Sequence, residues 1–183
     1  SMFLKVIGLL IMSTAVMANT KVQMKTNLGD IEIELFDKKA PETVKNFLKY
    51  VEAGSYKGTI FHRVMKDFMI QGGGFDKDMK KVSTKSPIKN EADNGESNVN
   101  GTIAMARTND PHSATNQFFI NVTDNTFLNH RDKSPRGWGY AVFGKVTKGM
   151  TVINKIKMQA VVPKAGHQHV PVEPVIIKDI KKL

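Results

Sequence analysis

Two-residue alternation of apolar and polar side chains constrains this chain most. Val22, Met24 and Thr26 are separated by Gln23, Lys25 and Asn27; after a turn at Leu28 and Gly29, Ile31, Ile33 and Leu35 are separated by Glu32 and Glu34. Successive side chains of an extended strand point to opposite faces, so such runs are expected to pair as a β-hairpin with one buried face. Further strands are expected at residues 60–65, 68–72, 101–107, 117–122, 142–147 and 175–180. Two stretches keep a helical period instead. Val44, Phe47, Leu48 and Val51 follow Pro41 and precede Gly54, and Met150, Val152, Ile153 and Ile156 mark a second, shorter helix. Residues 76–100 and 123–139 are rich in turn formers and read as long surface loops, which often build sites. With 183 residues the chain has room for one domain with a proper core. Seven or eight strands and two separated helices fit either a closed antiparallel barrel or an α+β sandwich.

Chemistry concentrates in Phe61–Phe75, FHRVMKDFMIQGGGF, where one arginine stands among large apolar residues. That inventory suits a site gripping an uncharged, partly apolar group through a single positioned cation. In extended segments Phe61, Arg63 and Met65 would share a face, as would Met69 and Gln71, and a turn at Lys66 and Asp67 would set the two strands antiparallel. Rival chemistries have less support. Gly72, Gly73 and Gly74 lack the lysine, the Ser or Thr and the following helix of a phosphate loop, and read as a close backbone approach. His167 and His169 form a loop pair without further metal ligands nearby. Asp110, His112 and Ser113 hold the letters of a catalytic triad but are neighbours without a nucleophile elbow. No cysteine is present, which excludes disulfides and thiolate chemistry. The formal charge of +10 comes from 23 lysines and four arginines, 27 basic residues in all, scattered along the chain. Dispersed lysine reads as a solvated surface, so no specific nucleic-acid partner is expected.

Three blocks, in order, carry a family resemblance. Phe61-His62-Arg63 with Phe68-Met69-Ile70-Gln71-Gly72-Gly73, then Gln117-Phe118-Phe119-Ile120-Asn121, then Tyr140-Ala141-Val142-Phe143-Gly144-Lys145-Val146 resemble the cyclophilin family of peptidyl-prolyl cis/trans isomerases, most of all its bacterial members. The resemblance implies a mainly β fold, a closed eight-stranded antiparallel barrel capped by two helices, and a cofactor-independent, metal-free isomerase acting on proline-containing polypeptides. It places the catalytic arginine at Arg63 and the proline pocket at Phe68, Met69, Phe119 and Leu128. Gln71 and the backbone around Ala106 and Arg107 match positions that hold the substrate main chain. Phe118, beside Phe119, should point the other way, into the barrel. Two substrate-side positions differ from the common eukaryotic pattern: Phe127 stands where a tryptophan is usual and Tyr140 where a histidine is usual. Cyclosporin, which uses the indole N–H in the family, is therefore expected to bind weakly. A binding module or holdase using the same groove, with incidental turnover, is the alternative.

The N-terminus reads as an export signal. Lys5 follows Met2, residues 6–12 are apolar apart from Gly8, and Val16-Met17-Ala18 offers small residues for cleavage after Ala18. Ser1 ahead of Met2 reads as vector-derived. Residues 1–18 are accordingly expected to direct the domain at 19–183 to the periplasm, leaving no stable membrane anchor after cleavage. Where the signal is retained, part of it is expected to be helical and to bury Leu4, Ile7, Leu10 and Ile11 against a neighbouring molecule.

Overall fold

The computed structural model describes residues 10–13 and 18–183. Most of the expected signal helix lies outside the described residues; Leu10 to Ser13 are not helical, and Leu10 and Ile11 are 85% and 81% exposed. Ala18, after which cleavage is expected, is among the described residues, and nothing in the fold bears on that expectation.

The alternating runs form the expected hairpin, β1 (Lys21–Thr26) and β2 (Gly29–Leu35), with Val22 opposite Ile33 and Met24 opposite Ile31. All four side chains, and Leu35, are at most 1% exposed. The turn is tight because the Thr26 hydroxyl donates to the Gly29 carbonyl (2.7 Å) and accepts from the Leu28 N–H (3.1 Å). Gly29 is required here: its φ is +134°, and a Cβ would lie 2.7 Å from Val152 on the helix that packs over the turn.

Eight strands form one sheet. After the hairpin come β3 (Arg63–Met65), β4 (Met69–Gly72), β5 (Thr102–Met105), β6 (Phe118–Asn121), β7 (Val142–Lys148) and, past the two-stranded hairpin β8 (Val161–Lys164) and β9 (His167–Pro171), β10 (Ile177–Lys182). The spatial order is β10-β1-β2-β7-β5-β6-β4-β3, with every pair antiparallel. The edge strands β3 and β10 do not pair along their lengths. Instead the segment before β3 completes the ring through one bridge, Ile60 to Ile176, flanked by Phe61 N–H to Val175 O (3.0 Å) and Gly58 N–H to Ile177 O (2.8 Å). The fold is the expected one, but the ring is a curled sheet with a narrow seam and closes less fully than a continuous eight-stranded barrel.

Helix α1 (Pro41–Glu52) closes one end and turns Val44, Phe47, Tyr50 and Val51 inward. Phe47 meets Phe118 edge-on at 5.8 Å and also touches Tyr56 and Phe143, an aromatic cluster at the centre of the core. No side chain at Ala40 caps this helix; Glu91 reaches in from the long loop and accepts from the Thr43 N–H (2.7 Å) and hydroxyl (2.6 Å). Helix α2 (Met150–Lys157) buries Val152, Ile153 and Ile156 against the sheet.

The β8–β9 hairpin has no counterpart among the expected strands. Residues 162–164 are exposed and Pro163 interrupts any alternation, so nothing local marks this strand. The hairpin turns at Ala165 and Gly166, both with positive φ, and β9 lies against β3.

Candidate active site

Strand register sorts side chains into rows across β3, β4, β6 and β5. Val64, Ile70, Ile120 and Ile103 pair in sequence across the four strands, and all four are in the main core. The adjacent row, Arg63, Gln71, Phe119 and Ala104, shares the opposite face. On that outer face Met69, Ala104, Phe119 and Val142 make a second, smaller apolar cluster, bordered by Met65, Phe68, Ala106, Leu128 and Tyr140. It is the floor of a pocket of about 470 Å³. Phe118 lies in the main core, fully buried, while its neighbour Phe119 lines the pocket, as the alternation requires.

The structure gathers Arg63, Phe68, Met69, Gln71, Ala106, Arg107, Phe119, Leu128 and Tyr140 around this pocket. Phe127 stands outside it. That ring is 69% exposed and stacks on Phe68 at 5.8 Å, so it extends the rim and has no part in the floor. Phe61 departs from the expected face: β3 begins only at Arg63, the phase of alternation breaks before it, and Phe61 is fully buried in the core against Phe118.

Two arginines border the pocket and their surroundings separate their roles. Arg107 donates from Nε to the Gly139 carbonyl (3.0 Å) and from Nη1 to the Thr108 carbonyl (2.9 Å), and its guanidinium lies 4.5 Å from the centre of the Tyr140 ring. It is a brace for Tyr140, which in turn meets Phe119 edge-on at 5.7 Å. Among the described residues Arg63 is held only by a long bond to Gln71 Oε1 (3.5 Å) and by the Phe68 ring, whose centre is 5.9 Å from its guanidinium carbon. Most of its donors are left for a group in the pocket.

Gln71, expected to hold the substrate main chain, already has a partner within the protein. Its Nε2 donates to Gln117 Oε1 (2.9 Å), which leaves its own Oε1 facing Arg63. Gln117 thus orients Gln71, and it escaped notice as a site residue because it precedes a strand inside an apolar block. Gly74 makes room for it, since a Cβ there would lie 2.4 Å from the Gln117 side chain. Gly73 has φ +92° and would clash with Phe118 and Tyr56, so the triple glycine is a close backbone approach as expected. The Ala106 N–H is donated to the Gln117 carbonyl (3.0 Å), so of that residue's two main-chain groups the N–H is already committed within the protein.

A set of asparagines unmarked by any pattern holds the pocket loops. Asn125 donates to the Phe68 carbonyl (2.9 Å) and to Asn121 Oδ1 (2.8 Å); Asn121 donates to Asn98 (3.0 Å), and Asn98 to the Tyr140 carbonyl (3.2 Å). Buried amides satisfied in series specify one arrangement of the loop carrying Leu128.

His62, His167, Phe75 and Lys81 also line the pocket, and none was expected as a site residue. His167 is in β9, not a loop, and its ring meets those of His62 (5.3 Å) and Phe75 (5.0 Å). His62 is 2% exposed and its Nδ1 has no partner among the described residues. Burial, then the charges of His167 and Arg63, lower its pKa from 6.5 to about 4. Among the described residues no three metal-ligating side chains converge. His112 accepts from the Asn90 N–H (3.1 Å) while the Ser113 hydroxyl donates to the Asp110 carbonyl (2.6 Å), so these three form a turn and not a triad.

Residues 21–182 match the family described as cyclophilin type peptidyl-prolyl cis-trans isomerase/CLD. The chain is 62% identical over 162 residues to peptidyl-prolyl cis-trans isomerase cyp18 of Streptomyces antibioticus, covering 88% of this chain and 98% of that protein. It is 60% identical over 159 residues to peptidyl-prolyl cis-trans isomerase B of Escherichia coli, covering 87% and 97%. Among solved structures, a cyclophilin type peptidyl-prolyl cis-trans isomerase of Cryptosporidium parvum superposes with a TM-score of 0.74 at 30% identity over 90% of this chain and 98% of that one. The same parasite protein has been solved in the presence of the dipeptide Ala-Pro, with a TM-score of 0.71 at 30% identity over 87% and 96%.

Proposed function

The chain belongs to the cyclophilin family of peptidyl-prolyl cis/trans isomerases, and on that premise we propose that Arg63 drives rotation about X-Pro bonds in unfolded or flexible polypeptides. Amide resonance opposes rotation with a barrier of roughly 18–20 kcal/mol, while the two prolyl isomers differ little in energy. Catalysis therefore needs only a lower barrier, with no bond made or broken. As the bond twists, the prolyl nitrogen regains a lone pair that the planar amide does not offer. A guanidinium donor placed against that nitrogen binds the twisted state more strongly than either ground state. Met69, Phe119 and Leu128 hold the ring, and Gln71 with the Ala106 carbonyl holds the main chain on either side of the bond.

The observation that carries this reading is the contrast between the arginines: Arg107 is bonded to two carbonyls, whereas Arg63 faces the pocket with one long bond. The test is an NMR exchange or protease-coupled assay on an Ala-Pro peptide. Arg63→Ala should lower kcat/KM by roughly a hundred- to a thousandfold, the effect of losing one preorganised donor, and leave peptide binding largely intact. Activity within threefold of wild type would overturn the assignment. A holdase would keep its clients and show no rate to lose.

We also infer that the protein assists folding in the periplasm. The support is the charged start, apolar run and Val16-Met17-Ala18 cleavage pattern of its N-terminus. Cell fractionation with mass determination should find a periplasmic protein beginning at Asn19. An uncleaved chain in the cytoplasm would overturn this.

A further inference from the structure

Phe68 is shared between two sites. One side of the residue lines the proline pocket, and the other lines a second depression of about 600 Å³ between the β3–β4 turn and the segment leaving α2. The second depression has an apolar surface and a cationic rim. Met65, half-buried, connects it to the apolar cluster under the pocket, and Met158, immediately after α2, is 59% exposed although large and hydrophobic. Lys66 from the turn and Lys157 from the helix also line it, against one carboxylate, Asp67, and neither lysine forms an ion pair among the described residues. Nothing in the rotation chemistry uses this surface.

We propose that this depression is an extended substrate subsite, taking up the polypeptide beside its proline and selecting a large apolar residue with an acidic neighbour. Continuity argues for it: a chain whose proline sits on Phe119 and passes Phe68 runs directly onto Met65 and Met158. Each extended residue advances about 3.3 Å, so two to four residues reach across. The chemistry follows from the lining. Thioethers adapt to varied apolar side chains without demanding one shape, and the two lysines favour carboxylates and disfavour other cations. Such a subsite makes the isomerase prefer some unfolded segments over others.

The inference rests on the isomerase reading, and the experiment separates the two. An Ala-Pro tetrapeptide is compared with peptides extended by four residues on the N-terminal or the C-terminal side, each extension either Leu/Glu-rich or Gly/Ser-rich. Exchange NMR gives kcat/KM for each. One of the two directions should show a gain of about tenfold for Leu/Glu over Gly/Ser, the scale of partly burying one apolar side chain beside a charge. The double variant Met158→Ser, Lys157→Glu should abolish that gain and turn over the tetrapeptide at the wild-type rate, which also reports that it is folded. A gain in neither direction, or a gain that survives in the double variant, overturns the subsite and leaves the isomerase reading standing. Failure of the wild-type protein to turn over the tetrapeptide overturns both, and failure of the double variant alone, with a wild-type circular dichroism spectrum, places this surface in the catalytic machinery and overturns the subsite.

Discussion

His62→Phe should flatten the acid side of the stability profile. The imidazole is 2% exposed, its centre 4.6 Å from that of Phe75 and 5.3 Å from that of His167, and its buried Nδ1 is unpartnered among the described residues. The folded state therefore holds it neutral, with a pKa of about 4 against an ordinary value of 6.5. A lowered histidine pKa means that the unfolded chain takes up a proton first as the pH falls. The stabilising contribution is thus whole above pH 6.5, is lost between 6.5 and 4, and is absent below about 4. At about 1.4 kcal/mol per pH unit across this window, the loss between neutrality and pH 4 is about 3 kcal/mol. For a domain of this size that is roughly 6–12 °C in Tm. Phenylalanine keeps the ring contacts and removes both the titration and the orphaned nitrogen. Calorimetry of both proteins from pH 7.5 to 4 should show wild type losing about that much more than His62→Phe, since carboxylates that titrate over the same range act on both. Parallel Tm profiles would show that His62 does not charge on unfolding and would refute the argument.

Gln117→Leu removes the acceptor that orients Gln71 and should lower kcat/KM on an Ala-Pro peptide by about two- to thirteenfold, the worth of one net hydrogen bond; an unchanged value would show that Gln71 needs no such support. Phe118→Ala and Phe119→Ala should divide by face. The first, in the main core, costs about 3–5 kcal/mol by thermal or urea unfolding, while the second chiefly raises KM, and a reversal of these outcomes would invert the face assignment. Phe127→Trp adds an indole N–H at an exposed rim position and should tighten cyclosporin by about two- to thirteenfold in a titration, again one hydrogen bond. Equal affinities would place control of the drug elsewhere.

The parts of the site that were legible in the residues are those governed by local geometry. Alternation put Phe118 and Phe119 on opposite faces, and Met69 and Gln71 on one, because a strand's side chains repeat every two residues wherever the strand lies. The hairpin at β1 and β2 and the inward stripe of α1 follow from the same short periods. Phe61 marks where this reasoning stops. It reads as in phase with Arg63, yet the chain is not a strand there, because those residues form the seam with the segment before β10.

Everything beyond a local period depended on which distant segments meet. Gln71 and Gln117 are 46 residues apart, and the bond that turns the Gln71 carbonyl oxygen towards Arg63 exists only because β4 pairs with β6. Glu91 caps a helix 48 residues earlier, and the His62 pKa is lowered first by its burial in the closed fold and then by His167, which β9 brings over it. The two arginines are alike as letters, and their carbonyl partners, set by the loop at Gly139, separate the brace from the group that faces the pocket. Short-range sterics are written into neighbouring residues, so chain order sufficed for strands, helices and faces. Burial, proton affinity and the commitment of each donor are properties of a neighbourhood, and the neighbourhood comes into being when the sheet curls and closes.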